Sequence, residues 1–169
     1  YVYSKFLAEA AVAEALAQGL SGGIHRIGHL TGRYSDGLFQ RNIGQNALYL
    51  RLRSIAALGA LPESARSIAL EFTPVDCCAE RMVALTAAGG TLPAFHLCAP
   101  QQLTLGEIAE GMGISLRWLP DEDFARLARE SAGTGDGGAL AGIIGDLLSP
   151  VVQRIRVDSR KTASALRNL

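Results

Sequence analysis

Hydrophobic and polar positions alternate between helical and extended patterns along the chain. Residues 3–18 are rich in Ala, Leu, Glu and Lys, which predicts a helix that ends at the glycines of residues 19–23. The apolar run 24–30 predicts a buried strand. Two Gly, a Ser and an Asp within residues 31–37 are typical of a turn.

The same alternation continues further along. Thr104 and Glu107 have the spacing of a capping box, which predicts the start of a helix at residue 105. The stretch LPES (61–64) is interpreted as the end of the second helix. The further predicted helices cover residues 42–58, 75–87, 105–111, 121–132, 139–148 and 158 or 159 to the end, and the further predicted strands cover 68–72, 94–98 and 115–119.

This order of elements favours an α/β fold with few parallel strands, followed by a mostly helical final third. The segment GTGDGG (133–138) predicts a flexible linker. We therefore expect a main α/β portion over 1–132 and a helical C-terminal cap over 139–169.

Composition limits the class of partner and the compartment. The chain has 16 basic and 16 acidic residues, so its formal charge is zero and nucleic acid is not the expected partner. Its three cysteines, two of them adjacent, favour a reduced, cytoplasmic compartment over a disulfide framework. Neither the cysteines nor the three histidines have metal-ligand spacing. No apolar run reaches the length of a membrane helix, so we expect no membrane partner.

Tyr1 and Lys5 carry the sharpest chemical signal. They lie four residues apart, so both side chains share one face of the predicted helix. A phenol exchanges protons poorly at neutral pH, and a neighbouring ammonium group favours the phenolate. Such a pair can donate a proton to a developing alkoxide.

Several segments in order resemble extended short-chain dehydrogenases/reductases. YVYSKFLAE (1–9) is similar to the Tyr-x-x-x-Lys segment of that family, and IHRIGHLTG (24–32) to the strand that follows it. TPVDCCAERMVAL (73–85) and AFHLCAPQQLTLGEIAE (94–110) resemble the later helix and strand.

Within that superfamily the chain most resembles the C-terminal part of thioester reductase domains of nonribosomal peptide synthetases and related carboxylic acid reductases. The segments that carry this likeness are GRYSDGLFQRN (32–42), LGALP (58–62) and EFTPVD (71–76). The resemblance implies part of a Rossmann-like fold with a mostly helical substrate-binding subdomain.

The resemblance also implies an enzyme. Such domains use NADPH to release a peptidyl or acyl chain, held as a thioester on a phosphopantetheinyl carrier protein, as an aldehyde or alcohol. By this resemblance Tyr1 donates the proton, Lys5 holds the nicotinamide ribose and tunes Tyr1, and the backbone at Ile27 and Gly28 contacts the nicotinamide.

Five other residues each have two interpretations. Tyr34, Ser35 and Asp36 either line the acyl channel and bind substrate, or build the turn. Arg26 either pairs with a carboxylate or contacts a ligand. Asp76 caps or anchors its helix.

The Gly-rich turn that binds the dinucleotide pyrophosphate in this fold is absent from these residues, as is the family's third catalytic residue. We therefore expect the chain by itself to be inactive and to bind NADPH weakly. We also expect the missing N-terminal half of the reductase domain, or self-association of the chain, to cover its exposed strand edges.

Two alternative functions remain. One is an extended short-chain dehydrogenase/reductase that acts on a nucleotide sugar as epimerase or dehydratase. The other is a non-catalytic binding module of the same fold.

Overall fold

The computed structural model describes residues 2–89, 94–131 and 157–168. Within these ranges the α-helices are α1 (Val2–Ala17), α2 (Ala47–Leu58), α3 (Val75–Ala87), α4 (Leu105–Gly111), α5 (Asp121–Ser131) and α6 (Arg160–Arg167). The strands are β1 (Ile24–Ile27), β2 (Leu30–Thr31), β3 (Ala60–Pro62), β4 (Ala69–Glu71), β5 (Thr73–Pro74), β6 (Ala94–Leu97), β7 (Gln102–Thr104) and β8 (Arg117–Leu119).

The predicted helices and strands that fall within the described residues are present, and the α/β class is confirmed. The predicted linker 133–138 and the predicted helix 139–148 lie outside the described residues. The helix predicted from residue 42 begins later, because a 3₁₀ helix (Ile43–Gln45) comes first and Asn46 then caps α2. The Asn46 side-chain oxygen accepts hydrogen bonds from the backbone N–H groups of Leu48 and Tyr49, which is the role Asn prefers over a helix interior.

Three strands were not predicted from the sequence. Residues 60–62, at the predicted end of a helix, form β3, and residues 73–74 form β5. Strand β7 occupies three residues before α4. Each has only two or three residues, too few to show an alternating pattern. The pairing of β4 with β7 is antiparallel, so the expectation of parallel strands holds for three of the four pairs in the described residues.

The chain divides into two compact units. The first unit comprises residues 1–39, 72–100 and 157–169. In it β1 pairs in parallel with β6, and β2 pairs in parallel with β5. Helices α3 and α6 pack against β6. Its core is formed by the buried side chains of Cys78, Leu85, Phe95 and Leu97.

The second unit comprises residues 40–71 and 101–156. In it β3 pairs in parallel with β8, and helices α2 and α5 pack against β3. Phe124 of α5 and Leu61 of β3 are among its fully buried side chains. The guanidinium carbon of Arg66 lies 4.5 Å from the ring centroid of Trp118, which is a cation–π contact.

No helix in the described ranges is both long and apolar enough to cross a lipid bilayer.

The capping box predicted at Thr104 is confirmed. The Thr104 hydroxyl accepts a hydrogen bond from the Glu107 backbone N–H, and the Glu107 carboxylate accepts one from the Thr104 N–H at 2.7 Å. These bonds satisfy two of the donors that every helix start leaves without a partner.

Replacing Thr104 with Ala should therefore lower the free energy of unfolding by about 1 kcal/mol, because the hydroxyl of the cap is lost. The Thr104→Ser variant keeps a hydroxyl and should retain most of the stability. Denaturant unfolding of the wild type and both variants measures the difference. Equal stability of the Ala and Ser variants would contradict this role of the cap.

Candidate functional site

An ion pair ties the first helix to the first strand. The Arg26 Nε atom of β1 donates to both carboxylate oxygens of Glu9 on α1, at 3.1 Å each, and the Arg26 Nη2 atom also contacts Glu9. Of the two interpretations of Arg26, the structure thus supports pairing with a carboxylate. The hydrogen bond from Arg26 lowers the pKa of Glu9.

Lys5 lies one turn before Glu9 on α1, so the two side chains share a helix face. Lys5 is exposed. Tyr1 lies outside the described residues, so its role and its pairing with Lys5 stay predictions.

Ile27 and Gly28 lie at the carboxyl end of β1. The Gly28 backbone N–H donates to the Leu97 carbonyl at 3.1 Å, which extends the β1–β6 ladder by one residue. The Ile27 side chain is 41% exposed. The strand therefore ends in an exposed apolar side chain followed by a residue with no side chain. In open α/β sheets this is the edge where ligands bind.

Thr73 joins the segments that follow β1 and β6, a role that was not predicted from the sequence. It is 1% exposed. Its backbone N–H donates to the His29 carbonyl at 2.8 Å, and its hydroxyl accepts from the Ala99 N–H at 3.0 Å. A buried Thr before a helix has no distinctive sequence signal, because its partners lie far away along the chain.

The turn after β2 is closed by two backbone hydrogen bonds of 2.8 Å, from the Arg33 N–H to the Leu38 carbonyl and from the Gly37 N–H to the Arg33 carbonyl. Gly37 has φ of +72°, a conformation that favours glycine. A Cβ atom on Gly32 would lie 2.5 Å from the Gly37 carbonyl oxygen. Glycine is therefore required at position 32 by the close approach of the backbone and is favoured at position 37 by the left-handed backbone conformation.

The Asp76 carboxylate holds this turn to α3. One oxygen accepts from the Tyr34 N–H at 2.9 Å and from the Cys77 N–H at 3.0 Å. The other accepts from the Ser35 N–H at 3.2 Å and the Ser35 hydroxyl at 3.1 Å. These bonds lower the pKa of Asp76 to about 2, and the bond from the Tyr34 N–H has the largest effect. Pro74, not Asp76, is the N-cap of α3, so Asp76 anchors the turn as well as its helix.

The side chains predicted to bind substrate differ in what they contact. Asp36 pairs with Arg33 at 2.6 Å and accepts from the Leu38 N–H at 3.0 Å. Ser35 is bound to Asp76, whereas the Tyr34 side chain is 84% exposed. Ser35 and Asp36 therefore build the turn, and Tyr34 presents an exposed ring. Whether they also bind substrate stays a prediction.

No group of three or more His, Cys, Asp or Glu side chains with the arrangement of a metal site occurs in the part of the chain that the structure describes. None of the three cysteines, all of which lie in the described residues, forms a disulfide.

The Asp76 contacts generate a stability prediction with a defined sign. A carboxylate whose pKa is lowered from 3.8 to about 2 stabilises the fold fully above the unfolded value, and this contribution is lost as the pH falls toward about 2. The Asp76→Asn variant should therefore unfold at a lower temperature than the wild type at neutral pH. The difference in unfolding temperature between the variant and the wild type should narrow below about pH 4.

Glu80→Gln provides the control, because Glu80 is an exposed carboxylate on the same helix. Thermal unfolding from neutral to acid pH should show little difference between this variant and the wild type. If the difference in unfolding temperature between Asp76→Asn and the wild type stayed constant with pH, the carboxylate charge would not stabilise the turn.

Comparisons with known proteins were made for the sequence and the fold. An NAD-binding family model described as male sterility protein matches residues 1–82. No curated protein matches the chain.

Three solved structures are similar to the chain over 99% of its length. A thiolation-reductase di-domain from an archaeal non-ribosomal peptide synthetase is 27% identical, with a TM-score of 0.82. The terminal R domain of the myxalamid PKS-NRPS pathway is 26% identical, with a TM-score of 0.76. The reductase domain of the aureusimine biosynthetic cluster is 26% identical, with a TM-score of 0.78.

The chain spans 36%, 43% and 44% of the length of these three structures, respectively. The family match falls on the segment with the Tyr-x-x-x-Lys motif, β1 and the start of α3. The resemblance seen in the sequence is thus confirmed: the chain is similar in sequence and fold to part of the reductase domains of non-ribosomal peptide and polyketide assembly lines.

Proposed function

We propose that the chain is part of an NADPH-dependent thioester reductase. In this proposal the enzyme releases a peptidyl or acyl chain from a phosphopantetheinyl carrier protein as an aldehyde or alcohol. The observation that carries the proposal is the similarity of nearly the whole chain to three reductase domains of peptide and polyketide assembly lines.

The residues at the end of β1 fit the nicotinamide end of the cofactor. Ile27 offers an exposed apolar side chain, and Gly28 allows a ring to approach the backbone closely. Lys5 offers an ammonium donor from the neighbouring helix. When bound, NADPH supplies the hydride that reduces the thioester carbonyl.

In the proposed reaction, Tyr1 donates its phenolic proton to the carbonyl oxygen as negative charge develops there. Lys5 stabilises the resulting phenolate by its positive charge. The carrier thiol then leaves, and the product carbonyl is an aldehyde. Reduction of the aldehyde to the alcohol would need a second NADPH to supply the hydride, with a reprotonated Tyr1 again donating the proton.

The turn after β2 forms part of the substrate side in this proposal. Asp76 holds its backbone at two successive N–H groups, so the exposed Tyr34 ring is presented from a fixed position. A rigid turn with an exposed aromatic side chain suits contact with an acyl or peptidyl chain, because little conformational entropy is lost on binding.

The charges near the site favour a thioester over a nucleotide sugar. A diphosphate needs cationic donors, and the arginines of β1 and of the turn after β2 are Arg26 and Arg33. Both are already paired, with Glu9 and Asp36. The nucleotide-sugar alternative is therefore the weaker one. Similarity to reductase domains over almost the whole chain likewise argues against a non-catalytic module.

The catalytic assignment is tested in the full-length protein with Tyr1→Phe. Loss of the proton donor should reduce turnover of a carrier-bound or simple thioester by about 100-fold or more, with folding unchanged. Tyr3→Phe is the matched control, since Tyr3 is an exposed tyrosine on the same helix. Wild-type turnover by Tyr1→Phe would refute the role of Tyr1.

A second prediction concerns the carrier protein. We propose that the region 42–61, together with 120–150, forms the side that faces the carrier and the acyl chain. NMR perturbation or crosslinking with a loaded carrier protein should mark residues of α2 and α5. Perturbation confined to α4 would contradict this assignment.

A further inference from the structure

A cavity of about 350 Å³ lies in the first unit where α6 packs near β6 and α3. Its volume is in the range of sites for small organic ligands. The polar side chains that line it belong to Arg81, His96, Ser159, Thr162 and Arg167. None of them has a role in the proposed reduction.

The lining carries positive charge without a compensating carboxylate. Arg81 and Arg167 both contribute to it, and the lining includes no Asp or Glu. Within the described ranges neither guanidinium has an ion-pair partner. Elsewhere in the described residues arginine often pairs with a carboxylate, as at Arg26, Arg33, Arg66, Arg126 and Arg160. Two guanidinium groups beside one cavity, neither paired with a described carboxylate, attract an anion.

Two hydroxyl groups add donors to the same cavity. Thr162 is 5% exposed, and its oxygen accepts the His96 backbone N–H at 2.9 Å. No described residue accepts the proton of that hydroxyl, nor that of the half-buried Ser159. A buried donor without an acceptor costs free energy, which an anionic oxygen would recover.

His96 contacts two residues outside the cavity lining. Its Nε2 atom lies 3.0 Å from Arg26 Nη1, and its Nδ1 atom lies 3.1 Å from the Asp158 carbonyl oxygen. Both ring nitrogens are therefore engaged, and the proposed site relies on the charge of the two arginines.

The rest of the lining is apolar and includes Leu97, Ala163 and Leu166. The site thus combines two cations and two hydroxyl donors with an apolar wall. A phosphate monoester has three acceptor oxygens and a charge near −2, which matches these donors better than a carboxylate does. We propose that this cavity binds a phosphate monoester that carries a short apolar chain.

The probe for this site is n-butyl phosphate, titrated into the full-length protein and followed by NMR and calorimetry. We expect saturable binding, with shifts of amide signals in β6 and α6. Arg81→Gln and Arg167→Gln should each weaken binding about tenfold or more, because each removes a charged donor. Arg117→Gln, at an exposed arginine of β8 in the second unit, should leave binding unchanged.

The outcomes separate the alternatives. Butanol, which has the same chain and no phosphate, should not bind, and equally tight binding of butanol would overturn the proposal. So would the absence of saturable binding, or equal affinities of all three variants and the wild type. If Arg81→Gln fails to fold, binding by Arg167→Gln decides the result. Arg167 is exposed, so this variant should keep the circular dichroism spectrum of the wild type. Thioester turnover plays no part in this test.

Discussion

The Asp76 carboxylate is the interaction on which the candidate site depends. It accepts hydrogen bonds from two consecutive backbone N–H groups of a turn about forty residues earlier in the chain, from a hydroxyl in that turn, and from its own helix. A carboxylate with four donors is held in its charged form, as its pKa of about 2 indicates. The turn therefore has one position relative to α3, and its exposed Tyr34 ring is presented from that position.

The turn can meet Asp76 only because the neighbouring contacts allow it. Gly32 passes so close to the Gly37 carbonyl that no side chain fits there, and Gly37 has a left-handed backbone. Thr73, three residues before Asp76, holds the strand ends together through its buried N–H and hydroxyl. These bonds bring the segments after β1, β2 and β6 to one edge, where a parallel α/β arrangement places its ligands.

The pairing of arginines distinguishes two kinds of surface in the first unit. Near the end of β1, Arg26 and Arg33 are paired with carboxylates, and Ile27 and Tyr34 are exposed. This suits an uncharged thioester and an apolar chain. At the cavity between α3 and α6, Arg81 and Arg167 have no such partners among the described residues, which suits an anion. The two surfaces therefore favour ligands of different charge, although both lie in one compact unit.

Local patterns in the sequence determined most of the helices and the class of the fold. The capping box at Thr104 and Glu107 predicted the start of α4, because both of its hydrogen bonds lie within four residues. The Tyr-x-x-x-Lys segment and the motifs after it indicated the reductase resemblance, since they are short and keep their order. The turn at 31–37 was predicted from its glycines, whose backbone requirements are also local.

Tertiary structure alone decided the features that join distant segments. The partners of Asp76 and Thr73 lie tens of residues away, so their sequence neighbourhoods indicate no more than a helix start. Strands β3 and β7 are three residues long, and pairing with β8 and β4, rather than any alternating pattern, makes them strands. Arg81 and Arg167, which have no ion-pair partner among the described residues, could not be told from the paired arginines by sequence, because pairing depends on which carboxylates the fold brings within reach.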